Sequence, residues 1–96
     1  MIGVVAVLKV QDGKGEAFET VFKELAGKVR AHEPGALLYQ LTKSRTEANT
    51  YKVLELYKDQ EALTAHGQSD YFKELGRQMG ASMAGRPEVE YLDAVV

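Results

Sequence analysis

The first third of the chain changes from a strand pattern to a helix pattern. Residues 2–10 carry five valine or isoleucine side chains with no helical period, which predicts a buried strand. Over residues 16–31 the apolar side chains recur at three- and four-residue steps, which predicts an amphipathic helix with one core face. Those positions are Phe18, Val21, Phe22, Leu25, Ala26 and Val29. Turn residues at 11–15 separate the two elements, and Pro34-Gly35 ends the helix because the residue before a proline avoids the helical region.

The middle of the chain predicts a hairpin followed by a short helix. Two β-rich runs, residues 36–43 and 50–57, are joined by a polar segment that suits a hairpin with a longer loop. Asp59 is a good N-cap for a helix that runs to His66. Gly67 can then take the left-handed position that follows a helix end.

A longer helix and a last strand complete the pattern. Ser69 offers a fresh N-cap for a helix that continues to Met83, and Arg86-Pro87 closes it before a strand over residues 88–96. The order βαββαβ is that of the α+β ferredoxin-like fold, in which helices cover one face of a four-stranded antiparallel sheet. A chain of 96 residues supports one core, so we expect a single domain over residues 1–96.

Both faces of the predicted sheet are apolar in the first and third strands. A sheet with one face in water should alternate between apolar and polar side chains. The first strand instead has apolar side chains on both faces, and so does the third. The positions are Ile2, Val4, Ala6 and Leu8 against Val5 and Val7, and Val53 and Tyr57 against Leu54 and Leu56. A second copy of the chain is the simplest cover for the second face, which predicts a homodimer.

Composition excludes several classes of function. The chain has no cysteine, so it has neither disulfides nor a thiolate nucleophile. A net charge of −2 with interspersed signs offers no basic surface for nucleic acid or anionic membrane, so neither is an expected partner. The apolar residues 1–10 lack the basic start and the cleavage site of a signal peptide, and we expect a cytoplasmic protein.

Most catalytic and metal-binding patterns are missing. Only two histidines occur, and His32-Glu33 is followed by a proline rather than by a second histidine one turn on, so we expect no metal site. No serine lies in a nucleophile elbow. Gly13 and Gly15 stand between a strand and a helix, but Phe18 occupies the third glycine position of a dinucleotide fingerprint. A flexible turn explains them better.

One aromatic and polar cluster remains as a candidate small-molecule site. It comprises Tyr39, Tyr51, Glu55, Tyr57, His66, Tyr71 and Phe72. Each member also has a structural explanation: tyrosines are common in half-buried strands, Glu55 can pair with Lys43 or Lys52, and His66 can stabilise a helix end. Gly76 and Gly80 lie inside the long helix, where each is unfavourable, and either close packing or space for a ligand explains them.

Several of these residues together resemble the antibiotic biosynthesis monooxygenase (ABM) domain and its small quinol monooxygenase-like members. The matching runs are His32-Glu33-Pro34-Gly35 with Tyr39, Val53-Leu54-Glu55 with Tyr57, Glu61-Ala62 with His66, and Ser69 with Tyr71-Phe72. The resemblance implies a dimeric ferredoxin-like α/β barrel. It also implies oxygenation of a small phenol or quinol by dioxygen without flavin, haem or metal, so no cofactor is expected.

The resemblance also assigns roles. The family's glutamate and histidine fall on Glu55 and His66. We expect His66 to act as base or hydrogen-bonding partner, with Glu55 orienting it. Tyr39, Tyr51, Tyr57, Tyr71 and Phe72 would line the substrate pocket. The chain departs from the family where Tyr57 replaces a frequent tryptophan and Tyr71 a frequent histidine.

Three alternatives stay open beside the monooxygenase. A non-catalytic small-molecule-binding dimer is one, since this fold hosts many functions. An isomerase of the same architecture is another. A sister branch that degrades haem is disfavoured, because Gly76 stands where that branch has its axial histidine and the chain has no tryptophan.

Overall fold

The four strands form one antiparallel sheet in the order β2-β3-β1-β4. The computed structural model describes all of residues 1–96. The elements are β1 (Ile2–Lys9), α1 (Gly15–His32), β2 (Ala36–Lys43), β3 (Thr50–Tyr57), α2 (Gln60–Gln68), α3 (Asp70–Gly80) and β4 (Glu88–Asp93). The predicted ferredoxin-like βαββαβ order is confirmed, with the second helical region split into α2 and α3.

The helix α1 buries the apolar face that its sequence predicts. Phe18, Phe22, Leu25, Ala26 and Val29 are buried, and Val21 packs partly buried against them. These side chains meet the inner face of the sheet, where buried residues of β1 and β3 alternate with residues of the opposite face. The core therefore lies between α1, α3 and one side of the sheet.

Ser69 forms the joint between the two later helices. Its backbone is extended, and its hydroxyl accepts a hydrogen bond from the Phe72 amide at 3.3 Å and donates one to the His66 carbonyl at 2.9 Å. The expectation that Gly67 follows the end of the short helix is wrong. The helix α2 continues to Gln68, and Ser69 ends one helix and caps the next.

The helix α3 ends at Gly80, three residues before the predicted end. The residues after it run beside the end of β1 and form backbone hydrogen bonds with it. The Ser82 carbonyl accepts from the backbone amide of Gln11 at 2.8 Å, and the backbone amide of Ala84 donates to the Lys9 carbonyl at 2.8 Å. Met83 forms an isolated bridge with Val10. These sheet-like bonds replace the helical ones, and Gly80 is itself an unfavourable residue inside a helix.

The outer face of the sheet carries apolar side chains from all four strands. Register pairs Val5 with Leu54, Leu38 with Leu56 and Gly3 with Leu92, which places these side chains on the face opposite the helices. Leu38, Leu54 and Leu92 are 43%, 38% and 43% exposed. No element of this chain covers them. The sequence-based expectation of two apolar faces is confirmed.

Candidate active site

A cavity of about 790 Å³ lies between the inner face of the sheet and the helices. Most of its wall is apolar, with Phe18, Phe22 and Leu25 of α1 on one side. Eight polar or ionisable side chains also line it: Tyr39, Glu55, Gln60, Thr64, His66, Gln68, Tyr91 and Asp93. The cavity is open beside β4, where Val89 and the 64% exposed Tyr91 form its rim. An apolar cleft with few polar groups is the usual form of a small-molecule site.

Three aromatic side chains pack around His66 near the end of α2. Its ring centroid lies 5.1 Å from that of Tyr39, 5.4 Å from that of Tyr57 and 4.6 Å from that of Phe72. The residue is only 4% exposed and lines the cavity. The helix is fixed upstream by Asp59, whose carboxylate accepts from the Ala62 amide at 2.8 Å. His66 is therefore a buried side chain of a rigid element.

A second acidic residue, Glu33, contacts His66 from the end of α1. Its two carboxylate oxygens lie 3.0 and 3.2 Å from His66 Nδ1, and it also accepts a hydrogen bond from the Tyr71 hydroxyl. The sequence gives Glu33 no role, because it is 33 positions from His66 and only the packing of α1 beside α2 and α3 brings them together. No local signal in the sequence identifies this pair.

The hydrogen bond to Glu33 assigns the tautomer of His66. A carboxylate accepts and does not donate, so the proton of the neutral imidazole is on Nδ1. Nε2 has no hydrogen-bond partner in the chain, and no buried side-chain nitrogen or oxygen is left without one. Nε2 therefore reaches open space, and the space beside His66 is the cavity. The free nitrogen is a hydrogen-bond acceptor for whatever occupies the cavity.

Glu55 lines the cavity but forms neither a hydrogen bond nor an ion pair with His66. Its Oε1 accepts a hydrogen bond from the Tyr57 hydroxyl at 2.6 Å, and no ion pair links it to Lys43 or Lys52. The hydrogen bond by which Glu55 was expected to orient His66 is absent, because Nδ1 of the imidazole is bonded to Glu33 instead. Burial raises the pKa of Glu55, and the hydrogen bond from Tyr57 offsets only part of that rise.

Of the five aromatic residues expected to line the pocket, two do so. Tyr39 and Phe72 are part of the cavity wall, whereas Tyr51, Tyr57 and Tyr71 are not. Tyr51 donates to Glu19 at 2.6 Å, outside the cavity. Tyr57 and Tyr71 stand behind the wall, where their hydroxyls bind Glu55 and Glu33. Both therefore support carboxylates instead of meeting a ligand.

The tyrosine hydroxyls keep their protons at neutral pH. Burial and the hydrogen bond to Glu33 raise the pKa of Tyr71 to about 12. Burial, the hydrogen bond to Glu55 and its negative charge raise the pKa of Tyr57 as well, and burial also raises that of Tyr39. Each is a hydrogen-bond donor and none is a phenolate.

Comparison with known proteins places this chain in a family. A sequence profile described as antibiotic biosynthesis monooxygenase matches residues 1–78. The crystal structure of a Caulobacter crescentus CB15 protein named for the same family is 61% identical, with a TM-score of 0.97 over 99% of this chain and 90% of that one. The chain belongs to the antibiotic biosynthesis monooxygenase family.

More distant structures share the fold, and one of them carries the same family name. A crystal structure named antibiotic biosynthesis monooxygenase is 25% identical, with a TM-score of 0.90 over the full length of both chains. A conserved protein from Methanosarcina mazei Go1 is 26% identical, with a TM-score of 0.89 over 95% of this chain and 89% of that one. No curated protein sequence matches significantly. Family membership supports a monooxygenase-like function.

The position of Gly76 in this family member explains why a glycine stands inside α3. It lines the cavity from α3, and a Cβ added there would meet no atom of another element within 4 Å. Of the two explanations for this helical glycine, space beside a ligand fits and close packing does not. Gly80 is equally uncrowded but does not line the cavity.

The family member has no cluster of three or more histidine, aspartate or glutamate side chains arranged to hold a metal ion. In addition, none of its helices combines the length and the apolar character that crossing a bilayer needs.

Proposed function

We propose that this family member is a monooxygenase that oxidises a small phenol or quinol with dioxygen and needs no cofactor. The observation that carries the proposal is that His66 lines an apolar cavity while its Nε2 has no hydrogen-bond partner in the chain. A phenolic hydroxyl placed there would donate a hydrogen bond to Nε2, and the imidazole could then take its proton.

Phenolate chemistry explains how such a site could work without a cofactor. Removing the proton makes the ring electron-rich enough to reduce dioxygen, and recombination forms a carbon–oxygen bond to a ring hydroperoxide. Loss of water then gives the quinone. A phenol and dioxygen thus yield a quinone and water, so the substrate supplies all the electrons and no external reductant is needed.

The two ionisable groups of the cavity suit different steps. His66 would accept the phenolic proton, and its aromatic neighbours would keep water away from the anion. Glu55, whose pKa burial raises, is suited to return a proton to the departing oxygen. We retain both as catalytic residues, with Tyr39 and Phe72 as direct substrate contacts and Tyr51, Tyr57 and Tyr71 as support.

A binding protein without catalysis is the second candidate. The rim beside β4 supports it, because the exposed Tyr91 leaves the cavity open to water, which favours ligand exchange over protection of a reactive anion. A ligand that covers this rim would exclude that water, and the cavity could then protect a reactive anion.

We also propose that the protein is a homodimer whose sheets pack through their outer faces. The exposed leucines of that face, Leu38, Leu54 and Leu92, form an apolar surface with contributions from strands across the sheet. Such a surface is unusual on a monomer. The expected cytoplasmic location stays a prediction.

Oxygen consumption tests the function directly. The protein is mixed with a panel of phenols and quinols, and uptake is compared with the uncatalysed rate in an oxygen electrode. Labelled dioxygen then shows whether one oxygen atom enters the product. Uptake with incorporation supports the monooxygenase. Saturable binding without uptake on any member of the panel supports the binding protein.

A further inference from the structure

We propose that Glu33 is the positioning residue of this site: it fixes the tautomer and the orientation of His66, and thereby makes the cavity prefer aromatic ligands with a free hydroxyl over their methyl ethers. The consequence for turnover rests on the proposed function, whereas the tautomer and the ligand preference do not. Glu33 does not line the cavity, so it acts only through His66.

The geometry of the contact leaves His66 little freedom. Both oxygens of Glu33 lie within 3.2 Å of Nδ1, and the side chains of His66 and Glu33 are 6% and 10% exposed. The Tyr71 hydroxyl donates to the same carboxylate and keeps it from rotating away. Charge-assisted bonds of this kind are stronger than neutral ones, and stronger still when water is excluded.

The backbone around residue 33 also restricts where the Glu33 carboxylate can lie. Glu33 is the C-cap directly after α1, with its backbone amide bonded to the Val29 carbonyl at 2.9 Å, and Pro34 follows immediately. Gly35 packs so closely on the next helix that an added Cβ would lie 2.7 Å from the Ala62 side chain. The tight turn therefore holds the end of α1 against α2, the helix that carries His66. The position of Glu33 is set by backbone packing and not by a free rotamer.

This arrangement has a consequence for ligand choice. With the proton on Nδ1, Nε2 can only accept, so a ligand hydroxyl gains a hydrogen bond that a methoxy group cannot give. A methyl ether would leave Nε2 facing a group that donates nothing. Since one net hydrogen bond changes affinity by about tenfold or less, we expect a phenol to bind up to about tenfold more tightly than its methyl ether.

The alternative is that Glu33 and His66 form a buried pair whose only role is to join α1 to α2. That pair would affect the stability of the fold and would favour the same tautomer, yet it would not require a preference between phenols and ethers. Stability alone therefore does not separate the two explanations, and the tests must read both the state of the imidazole and the choice of ligand.

The first experiment reads the tautomer in the unmodified protein. Heteronuclear NMR of the imidazole nitrogens should show His66 with Nδ1 protonated and Nε2 unprotonated. Dominance of the Nε2-protonated form in the wild-type protein would overturn the proposal, whatever the protein does to quinols. Because no substitution is needed, the result does not depend on a variant that folds.

The second experiment compares Glu33→Gln with Glu24→Gln, a matched change at an exposed position of the same helix. An amide can donate to Nδ1 as well as accept, so in Glu33→Gln the Nε2-protonated form should rise and the preference for phenol over ether should fall towards unity. The Glu24 variant should keep both properties. Unchanged tautomer and unchanged preference in a folded Glu33→Gln protein would overturn the proposal.

Turnover supplies the third readout. If the wild type oxidises a quinol, Glu33→Gln should lower kcat by a factor on the order of 10² or more, with a smaller change in KM, as expected when the base is left in the wrong tautomer. If the wild type oxidises none of the panel, the monooxygenase proposal fails, while the tautomer and the phenol-to-ether ratio still decide the role of Glu33.

Discussion

The Tyr57 hydroxyl donates a hydrogen bond to Glu55 Oε1 at 2.6 Å, between two residues of the same strand that both face the helices. Because side chains two apart on a strand share a face, this contact is built into β3 itself. It leaves Glu55 at the cavity wall and Tyr57 behind it. The half-buried Glu55 carboxyl is thus supported by a neighbour that does not line the cavity.

Glu55→Gln should change how stability depends on pH. Burial raises the pKa of Glu55 above the ordinary 4.5, so the folded protein binds this proton more tightly than the unfolded chain. The wild type therefore loses stability as pH rises from 4.5 through the raised pKa. The glutamine variant lacks this loss. The unfolding free energy of the variant minus that of wild type should therefore be larger at about pH 8 than at about pH 4.

Urea unfolding at several pH values measures that difference. Glu88→Gln, at an exposed position of β4, is the control and should leave the pH profile unchanged. If the unfolding free energies of wild type and Glu55→Gln stay parallel from about pH 4 to about pH 8, burial does not raise this pKa.

His66→Ala should abolish most of the proposed activity while the fold survives. Loss of a positioned proton acceptor lowers rates by a factor on the order of 10² to 10⁴. A purely structural histidine would instead cost a kcal/mol or so of stability and leave oxygen uptake intact. Oxygen uptake and thermal unfolding, measured on both proteins, separate these outcomes.

The same activity should persist after exhaustive metal chelation and without added flavin or haem. The physical reason is that a phenolate reduces dioxygen directly, so the protein supplies only groups that transfer protons and an apolar cavity. Uptake of oxygen before and after dialysis against a chelator is the measurement. A rate that falls with chelation and returns with one metal ion would contradict the cofactor-independent mechanism.

Leu54→Lys should convert the proposed dimer to a monomer. Leu54 lies on the outer face of β3, and burying a lysine ammonium against a second apolar sheet is unfavourable. A specific interface there should bury more than about 1,000 Å². Light scattering at micromolar concentration reports the mass. Val95→Lys, beyond the end of β4 and 95% exposed, is the control that should stay dimeric. A monomeric wild type would refute the dimer itself.

Substitutions at Gly76 should separate helix stability from ligand space. Gly76→Ala should stabilise the protein by about 1 kcal/mol, since alanine is the better helix former and its Cβ meets nothing. Gly76→Leu should instead fill part of the cavity and weaken ligand binding. Gly27 of α1 is equally uncrowded but outside the cavity, so Gly27→Leu is the matched control. Equal affinities in the two leucine variants would show that ligands do not use this space.

Local patterns in the sequence determine most of the fold. The bounds of β2 and β3, the buried face of α1 and the caps at Asp59 and Ser69 all follow from periodicity and side-chain chemistry over a few residues. The end of α3 does not, because its last residues exchange helical bonds for bonds to the distant Lys9 and Gln11.

The candidate site also has a part that the sequence predicts and a part that only the structure shows. Sequence and family resemblance point to His66, Glu55, Tyr39 and Phe72, and the structure brings all four to one cavity. Only the tertiary structure decides that Glu33 and not Glu55 binds the imidazole, since that contact joins two helix ends 33 positions apart. Patterns within one element are set by local geometry, so the sequence predicts them. Contacts between elements depend on how whole helices pack, and side-chain periodicity does not predict that packing.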